Sequence, residues 1–427
     1  MFRLMKTYLN RVADDLLAFC LRSSGAVLVT GPKWCGKSTT SRQQAKSRIL
    51  FRKGPRQSQN IAMALAMPEE VLKGETPRLI DEWQLVPSIW DDIRTEVDER
   101  GETGQFILTG SSVPPDKTEF SHSGTGRFSR LAMRTMSLWE SLESTGDVSL
   151  SGLFGTPARI SGTSKMKIPD YAFAMARGGW PFAVGMPRRE ALRQATDYYA
   201  GLVSDDMSRV DGVSRREDRC RAFFRSYARL LSTQADISVI REDMSQHEGT
   251  GLSADTISDY SAAARKLFVV EDLEAWNPVL LKKGTVRTAG TRHFVDPSIA
   301  CAALGIGPDD LLNDLRAMGY LFENMAVRDL RVYAEANDGS VAHFRDRYGL
   351  ECDAVIRLRN GTYGLVEIKL FSQANIDQGA RNLLKLASKI DGTKMKKPSF
   401  LAVVTGTEFA YRRDDGVFVV PLGCLRP

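Results

Sequence analysis

The amino-acid sequence predicts an α/β protein whose N-terminal part is a parallel β-sheet covered by helices. Two patterns support this prediction. In the first 150 residues, short apolar runs alternate with helical segments, and each run closes on glycine or on carboxylates. A second arrangement of helix, strands and helix begins near residue 306. Since 427 residues are more than one hydrophobic core usually holds, we expect several domains.

The first predicted domain, residues 1–150, contains three short strands. Ala26–Thr30 is an apolar run that ends at a Gly-Pro pair, and a helix should begin near Lys37. Arg78–Ile80 and Gln105–Thr109 are the next two strands. Parallel strands that are buried on both faces show continuous apolar runs of this kind, so helices should cover both faces of the sheet.

Residues 151–217 are predicted to be a helical lid or linker. Thr145–Lys167 is rich in small and polar residues, which favours a linker or an insertion. From Arg188 to about Ser232 the apolar residues recur at helical spacing. We therefore expect helices to occupy most of this part of the chain.

Residues 218–305 are predicted to be a winged-helix-like domain. A helix should run from an N-cap at Ser253 to about Leu267, and Phe268–Leu273 and Arg292–Asp296 have the pattern of strands. Two helices followed by two strands favour a winged helix-turn-helix, which could enter a DNA groove or bind a protein. In the DNA case, phosphates would be contacted by Arg265, Lys266, Lys282 and Lys283.

Residues 306–427 predict a final α/β domain. It should open with a long helix, Asp310–Tyr333, and a second helix should cover about Ile376–Ile390. Strands are predicted at His343–Arg345, Cys352–Arg357, Gly364–Leu370, Phe400–Thr405 and Gly416–Val420.

Composition narrows the class of protein further. Hydrophobic residues make up 43% of the chain and charged residues 26%, which is typical of a folded protein. No apolar run approaches the roughly 20 residues that span a bilayer. Residues 1–10 lack the apolar core of a signal peptide. We therefore expect a cytoplasmic protein without a membrane partner, and the net charge of +6 mildly favours anionic partners.

The cysteines and histidines do not predict a metal centre. The six cysteines are scattered without a Cys-x-x-Cys pair, and the four histidines are equally dispersed. Neither structural zinc nor a disulfide framework is expected from this spacing.

The loop after the first strand fits a phosphate-binding motif. Residues 31–38 match G-x-x-x-x-G-K-[ST] at every fixed position, between an apolar strand and a helix. Glycines let successive backbone N–H groups curl round phosphates, and the helix N-terminus adds positive potential. Lys37 would reach the β- and γ-phosphates of ATP, and the Ser38 hydroxyl would ligate Mg²⁺. The predicted nucleotide-binding residues are Gly31, Pro32, Lys33, Trp34, Cys35, Gly36, Lys37, Ser38 and Thr39.

Polar residues at the ends of the next two strands would complete the ATP site. Asp81 would bind or orient Mg²⁺ or its water, and Glu82 would activate the attacking water as a general base. Thr109 or Ser111 could sense the γ-phosphate. The competing interpretation is a polar residue that only caps a turn.

An arginine usually neutralises the charge of a phosphoryl-transfer transition state. Arg127 and Arg130 follow the glycine-rich residues 124–126, so either could reach a nucleotide and act as a catalytic residue supplied in trans across a homo-oligomer. The alternative is that both are solvated loop arginines.

A second group of charged residues lies near the C-terminus. Residues two apart in a strand share a face, so Glu367 and Lys369 point the same way, and Asp353 joins them if the two strands pair. Two carboxylates can hold Mg²⁺, and a nearby lysine can position a water, as in metal-dependent nucleases. Glu323 could add a carboxylate, and Gln378 could orient the scissile phosphate. The alternative is a solvated strand of alternating charge.

Several shorter motifs accompany these two sites. They are Leu9-Asn10-Arg11, Val29 through Ser38, Ile80-Asp81-Glu82, Leu108 through Ser112, Gly126-Arg127, Gly178-Gly179-Trp180-Pro181, Phe294-Val295-Asp296, Glu351-Cys352-Asp353 and Glu367-Ile368-Lys369.

With these motifs, nearly the whole chain resembles a broad family of prokaryotic AAA-type ATPases. Members join an N-terminal P-loop domain to a C-terminal domain of unknown function related to PD-(D/E)xK nucleases. They often have Arg-Gln-Val where this chain has Lys33-Trp34-Cys35, and usually Thr in place of Ser38. Neither change removes a phosphate-binding group. The resemblance implies ATP hydrolysis, a helical lid, a winged helix and a nuclease-like end.

Two functions remain open from the sequence. The first is a Mg²⁺-dependent ATPase that acts on DNA or another nucleic acid, with a C-terminal domain that binds and could cleave it. The second is a nucleotide-switched regulator or scaffold, in which the nuclease-like domain is inactive and binds a protein.

Overall fold

The computed structural model describes most of the chain, namely residues 7–52, 54–110, 124–155, 157, 159–249, 251–277, 289–393 and 395–427. The proposed phosphate sensor Ser111 and the proposed DNA contacts Lys282 and Lys283 lie outside these described residues.

The chain divides into two units. The first consists of Met1–Thr135 with two short later segments, and the second contains most of the remainder, beginning at Met136. The later segments of the first unit are Ser208–Ser214 and Lys266–Phe268. The four-part division predicted above stays a prediction.

A five-stranded parallel sheet forms the centre of the first unit. Its strands are β1 (Ala26–Thr30), β2 (Ser47–Leu50), β3 (Arg78–Asp81), β4 (Phe106–Gly110) and β5 (Phe128–Ala132). They lie in the order β2-β3-β4-β1-β5, and every neighbouring pair is parallel. The predicted parallel sheet is confirmed. The strand β4 separates the strand before the phosphate-binding motif from the strand that ends at Asp81.

Helices cover both faces of this sheet because apolar side chains alternate along its strands. On β1, Val27 and Val29 belong to the core cluster that contains Leu17, whereas Ala26 and Leu28 belong to the opposite cluster. The helical segments of the unit are α1 (Val12–Ser23), α2 (Lys37–Gln44), α3 (Gln57–Ala66), α4 (Pro68–Leu72), a 3₁₀ turn at Trp83–Leu85 and α5 (Ile89–Arg100).

The rest of the chain is rich in helices. The helical pattern predicted from Arg188 to Ser232 is interrupted. The helix that begins at Arg188 ends at Gly201, a π-helical turn at Leu202–Asp206 and a three-residue helix at Met207–Arg209 follow, and the next longer helix starts at Glu217. The remaining helices are α6 (Leu150–Phe154), α7 (Ile168–Arg177), α8 (Arg188–Gly201), α9 (Met207–Arg209), α10 (Glu217–Arg229), α11 (Ile237–Glu248), α12 (Ala254–Lys266), α13 (Pro297–Leu304), α14 (Pro308–Asn313), α15 (Leu315–Ala336) and α16 (Gln373–Lys389).

The long helix predicted at Asp310–Tyr333 is broken at Asp314. The Asp314 side chain accepts hydrogen bonds from the backbone N–H groups of Arg316 and Ala317, so it ends α14 and caps the start of α15. In the part of the chain that the structure describes, no helix has both the length and the apolar character needed to cross a bilayer.

A seven-stranded mixed sheet forms the second core. Its order is β7-β12-β13-β11-β10-β9-β8, with β10, β11 and β13 mutually parallel and the other pairs antiparallel. A separate two-stranded pair joins β6 to β14. The bounds are β6 (Val148–Ser149), β7 (Gly162–Thr163), β8 (Gly339–Arg345), β9 (Glu351–Leu358), β10 (Tyr363–Lys369), β11 (Phe400–Thr405), β12 (Phe409–Arg412), β13 (Phe418–Pro421) and β14 (Leu425–Arg426), with a 3₁₀ turn at Leu422–Cys424.

The segment Thr145–Lys167 differs from the expected linker or insertion. Val148–Ser149 pairs with β14, and Gly162–Thr163 pairs with β12, so the segment forms part of the β-structure of the second unit. Its small polar residues hid the two strands, since each is two residues long and finds its partner near the other end of the chain.

Candidate functional site

The P-loop after β1 needs glycine at two of its positions. Gly31 has a φ of 146° and Gly36 a φ of 106°, a region that side chains other than glycine rarely adopt. A Cβ on Gly31 would lie 2.1 Å from the Met133 carbonyl oxygen. The loop therefore folds tightly against the end of β5, and the helix α2 begins directly after it at Lys37.

Lys37 closes the loop across its own backbone. Its Nζ donates hydrogen bonds to the carbonyl oxygens of Gly31, at 2.8 Å, and Pro32, at 2.7 Å, and the residue is 7% exposed. A buried ammonium held only by neutral carbonyls can exchange them for phosphate oxygens, which pair with it more strongly. The phosphate-binding role of Lys37 fits these contacts and stays a prediction.

The middle of the loop contains the three residues that depart from the usual family motif. Trp34 has a φ of 66° and is 65% exposed, whereas Cys35 is fully buried in a core cluster with residues of α1 and β1. Lys33 lies beside them on the loop, and Thr39 is in the first turn of α2, where its N–H donates to the Gly36 carbonyl at 2.9 Å.

Asp81 is fully buried at the end of β3, and two hydroxyl groups bind one of its carboxylate oxygens. Ser38 Oγ and Thr109 Oγ1 each donate to Asp81 Oδ1 at 2.6 Å. The parallel register explains the second contact, since Asp81 and Thr109 are paired on β3 and β4. Among the described residues, no hydrogen bond reaches Asp81 Oδ2.

The side-chain oxygens of Ser38 and Asp81 are suitable ligands for a magnesium ion. Mg²⁺ prefers carboxylate and hydroxyl oxygens and usually keeps several waters. Ser38 and Asp81 place such oxygens next to each other, and a buried carboxylate oxygen without a hydrogen bond is costly unless a cation or a donor meets it. The residues present therefore fit Mg²⁺, and their role as its ligands stays a prediction.

Glu82 follows Asp81 in a left-handed conformation, with a φ of 62°. Its backbone N–H donates to the Thr109 carbonyl at 2.9 Å, and its carboxylate accepts a hydrogen bond from the Gln84 amide. Backbone strain of this kind at a non-glycine residue is concentrated at functional sites. Gln84 therefore orients the predicted general base, a role that was not predicted from the sequence.

The structure places Arg127 at the wrong end of the sheet for its own P-loop. Residue 128 pairs with Ala26 at the start of β1, whereas the P-loop follows Thr30 at its end. Four residues at about 3.3 Å each separate the two ends by about 13 Å. The Arg127 side chain instead forms an ion pair with Asp98 at 2.7 Å. The structure therefore does not place Arg127 beside the P-loop of its own subunit, and the trans role stays a prediction.

Arg130 is also poorly placed, because it is exposed in the middle of β5 and pairs with Leu28. Two other arginines, which the sequence argument missed, face the ATP site. Arg52 Nε lies 3.6 Å and Arg42 Nη2 lies 3.8 Å from Asp81 Oδ2. The Arg52 side chain is 51% exposed, so its charge can reach a bound phosphate.

The C-terminal charged residues come together around Lys369. Lys369 Nζ lies 3.1 Å from Asp353 Oδ2 and 2.7 Å from Glu367 Oε2. Asp353 Oδ2 also accepts the Ile368 N–H at 2.7 Å. The antiparallel pairing of β9 with β10 brings Asp353 beside Glu367, as the sequence argument required.

Burial changes the proton affinity of this cluster. Burial raises the pKa of Glu367 well above its usual range, and the neighbouring Asp353 raises it further. Burial lowers the pKa of Lys369, but Asp353 and Glu367 outweigh that effect and raise it overall. Burial also raises the pKa of Glu323, with Asp353 as the next cause. The lysine charge therefore offsets the negative charge that burial makes unfavourable.

Glu323 does not complete a three-carboxylate metal site. Within the described ranges, no ion pair joins Glu323 to Lys369, and no group of three or more His, Cys, Asp or Glu side chains is arranged to hold a metal ion. The Glu367 carboxylate is buried, its Oε1 makes no hydrogen bond to described residues, and a cation lies 2.7 Å from its Oε2. In this structure that cation is the Lys369 ammonium.

Gln378 lies on α16, in a chain of side chains on the helix surface. Its Nε2 donates to Asn382 at 2.9 Å, and its Oε1 accepts from Arg381 at 2.8 Å. The structure gives Gln378 no contact with the carboxylates.

The Gly-Gly-Trp-Pro and Phe-Val-Asp motifs form a buried structural contact. Asp296 Oδ2 accepts the Gly179 N–H at 2.9 Å and lies 3.1 Å from Arg328, and Trp180 Nε1 donates to Ser298 Oγ at 2.9 Å. These residues hold α7, α13 and α15 together, which accounts for the motifs without assigning them a ligand.

The predicted winged-helix region contains three helices, α10 to α12, followed by antiparallel bridges between Val270 and Phe294 and between Leu273 and Thr291. Arg265, proposed as a phosphate contact, forms an ion pair with Asp272 at 2.6 Å. Its charge is already neutralised in this structure, so the groove contact is not supported for Arg265.

Comparison with known proteins gives three family matches. Residues 23–142 match an AAA domain, residues 168–310 match the domain of unknown function DUF8612, and residues 318–425 match the domain of unknown function DUF4143. No curated protein matches the chain.

Two solved structures are similar to parts of the chain. A Walker-type ATPase of Pyrococcus abyssi is 15% identical, with 69% of this chain and 96% of that chain covered and a TM-score of 0.42. The Hef helicase domain of Pyrococcus furiosus is 10% identical, with 92% and 89% covered and a TM-score of 0.19.

The AAA match spans β1, the P-loop, Asp81 and Thr109, which are the elements that the structure brings together at one edge of the parallel sheet. Over residues 23–142, in its N-terminal unit, the chain is therefore similar to an AAA domain, and it carries there the P-loop motif of a nucleotide-binding domain.

Proposed function

We propose that this protein is a Mg²⁺-dependent ATP hydrolase that acts with nucleic acid through its C-terminal region. The observation that best supports hydrolysis is the buried Asp81 carboxylate. Two hydroxyl groups hold one of its oxygens, whereas the other makes no hydrogen bond to described residues and has the Arg52 and Arg42 guanidinium groups 3.6 and 3.8 Å away, beside the P-loop.

The P-loop residues have distinct roles in this proposal. Backbone N–H groups of the loop and the N-terminus of α2 bind the phosphates, and Lys37 leaves the Gly31 and Pro32 carbonyls to pair with the β- and γ-phosphates. Bound Mg²⁺ supplies charge neutralisation, and Ser38 and Asp81 are the residues that would hold it.

Glu82 is the proposed general base. Its carboxylate accepts a proton from the attacking water as that water's oxygen bonds to the γ-phosphorus. The bond between the γ-phosphorus and the β,γ-bridging oxygen breaks, and ADP and inorganic phosphate result. The Gln84 amide holds the Glu82 carboxylate, and the Glu82 backbone N–H is held by the Thr109 carbonyl.

Phosphate release by the full chain, measured with and without DNA, tests hydrolysis. Lys37→Ala and Glu82→Gln should each lower the rate at least about 100-fold, since general-base catalysis alone contributes that much. Glu102→Gln is the matched control, because Glu102 is exposed after α5 and lies near the start of β4, away from the site. Unchanged phosphate release by Lys37→Ala would refute the proposal.

The C-terminal proposal rests on Asp353, Glu367 and Lys369. Their convergence in adjacent strands matches the arrangement that metal-dependent nucleases use to bind Mg²⁺ and position water. Incubation of plasmid or branched DNA with Mg²⁺ tests it. Asp353→Asn should abolish any cutting, whereas Glu351→Gln, a change in a 45% exposed carboxylate of the same strand, should preserve it.

One observation favours the second function, a nucleotide-switched regulator whose C-terminal region binds a protein. The Lys369 ammonium already lies between the two carboxylates, and the described residues offer no third ligand group. If the parent protein cuts no DNA with Mg²⁺ while it still hydrolyses ATP, the regulator is the better assignment.

A further inference from the structure

Arg11 reaches the P-loop from outside the phosphate-binding motif. It lies just before α1 and is 6% exposed. Its guanidinium donates to the Cys35 carbonyl at 2.8 Å and to the Arg134 carbonyl at 2.9 Å. One acceptor belongs to the P-loop and the other follows β5, so a single side chain joins the loop to the edge of the sheet.

The segment around Arg11 is itself fixed to the helix after the P-loop. The Arg11 backbone N–H donates to Asp14 Oδ2 at 2.7 Å, and the Tyr8 hydroxyl donates to Asp14 Oδ1 at 2.6 Å. The same hydroxyl lies 2.9 Å from Thr40 Oγ1, on α2. Contacts with α1, through Asp14, and with α2, through Thr40, therefore fix the segment from which the Arg11 side chain reaches the loop.

The contact with Cys35 determines the orientation of one peptide group. The Cys35–Gly36 bond is not among the cis bonds of the described chain, and in a planar trans peptide the C=O and the following N–H point in opposite directions. With the Cys35 carbonyl turned toward Arg11, the Gly36 N–H points to the other side of the loop. A charged donor on the carbonyl also polarises the peptide and strengthens its N–H as a donor.

We propose that Arg11 is a positioning residue for nucleotide binding, which holds the Cys35–Gly36 peptide so that the Gly36 N–H faces the phosphates of ATP. The inference rests on the proposed function, since it concerns the same ATP site. Arg11 acts through the backbone and does not touch the nucleotide. Without Arg11, the peptide can rotate. The loop must then become ordered when phosphate binds, and this entropic cost lowers the affinity for ATP.

Arg78 provides a matched control in the same unit. Its Nε donates to the Val71 carbonyl at 2.7 Å and its Nη1 to Ser47 Oγ at 2.9 Å, so it too is an arginine that holds neighbouring segments together. It lies at the start of β3, whereas Asp81 lies at the end of the same strand. Loss of Arg78 should affect folding without affecting the P-loop.

The test is calorimetric titration of the full chain with Mg²⁺-ATP, together with the melting temperature of each variant. Arg11→Met should weaken ATP binding about tenfold, which corresponds to loss of one charge-assisted hydrogen bond. Arg78→Met should lower the melting temperature but leave the affinity within about twofold. Arg11→Lys should recover most of the affinity, because an ammonium can still donate to one carbonyl.

The outcomes separate this inference from the proposed function. If the unaltered protein does not bind ATP, the proposed function fails and this inference fails with it. If the unaltered protein binds ATP and Arg11→Met binds it equally well, or loses no more affinity than Arg78→Met, only the inference is overturned. Should Arg11→Met not fold, Arg11→Lys decides, since its affinity should fall about threefold while the protein stays folded.

Discussion

Replacement of Thr109 by valine tests whether its hydroxyl holds Asp81 in place. The change keeps the shape of the side chain but removes the hydrogen bond of 2.6 Å to Asp81 Oδ1. Both residues are at most 1% exposed, so water cannot replace the lost donor. A hydrogen bond to a charged group contributes about 1.5–3 kcal/mol to stability.

The remaining partners of Asp81 reduce this cost. Ser38 Oγ still donates to Oδ1, and Arg52 and Arg42 remain 3.6 and 3.8 Å from Oδ2. We therefore expect the free energy of unfolding to fall by about 2 kcal/mol. For a unit of this size that corresponds to a melting temperature about 8 °C lower.

Differential scanning calorimetry of Thr109→Val measures this loss, with Thr109→Ser as the control that keeps the hydroxyl. The transition that Mg²⁺-ATP shifts upward identifies the first unit. Equal melting of Thr109→Val and the unaltered protein would refute the reasoning, as would equal losses in the valine and serine variants. If stability is unchanged and only the ATPase rate falls, the hydroxyl senses the γ-phosphate instead of holding Asp81.

Three further changes test other parts of the structure. Arg52→Ala should lower the ATPase rate at least about tenfold if its charge reaches the γ-phosphate, with phosphate release as the measurement and the exposed Arg48→Ala as control. Arg127→Ala should lower the specific activity only at protein concentrations where the chain self-associates, because Arg127 lies about 13 Å from its own P-loop. His293→Phe should reduce the amount by which the free energy of unfolding of the second unit falls at acidic pH. Burial lowers the pKa of His293 from 6.5 to about 3, so its contribution to stability is present above pH 6.5 and falls as the pH drops toward 3. Chemical denaturation at pH 7 and pH 4 should therefore show a smaller pH effect in the phenylalanine variant, whose ring breaks no hydrogen bond to described residues.

The ATP site could be predicted from sequence because its parts are local. The P-loop is one continuous motif, and Asp81 directly follows a recognisable apolar run. Parallel strands end at the same edge of a sheet, so the strand assignments placed Asp81 and Thr109 at one edge, but the pairing of β3 with β4 that brings them into contact was not predicted. The tight turn at Gly31 and the position of Lys37 follow from the same motif.

The arginines could not be assigned in this way, because their roles depend on tertiary contacts. Arg127 follows a glycine-rich stretch, which suggested that its side chain could move to a nucleotide. Because it directly precedes β5, however, it lies beside the start of β1, at the end of the strand opposite the P-loop. Arg52 comes beside Asp81 only because β2 pairs with β3. Arg11 lies 24 residues from its acceptor Cys35 and more than 100 from Arg134, distances at which no local pattern predicts a contact.

The C-terminal cluster was predicted in part. Strand periodicity placed Glu367 and Lys369 on one face, and the pairing of β9 with β10 added Asp353. The sequence could not show that the lysine would occupy the space between the carboxylates, since that depends on side-chain conformation and burial.

The pairing of β6 with β14 has a consequence for the order in which the protein is made. Ser144 Oγ donates to the Leu425 carbonyl across 281 residues, and the Gly423 N–H donates to the Tyr171 hydroxyl across 252 residues. A ribosome releases the N-terminal partner of each contact long before the C-terminal partner exists. Contacts so distant in sequence form slowly and late. The parallel sheet of the first unit, whose last strand along the chain ends at Ala132, can therefore form during synthesis, whereas the second unit must wait for β14 and depends meanwhile on protection from aggregation.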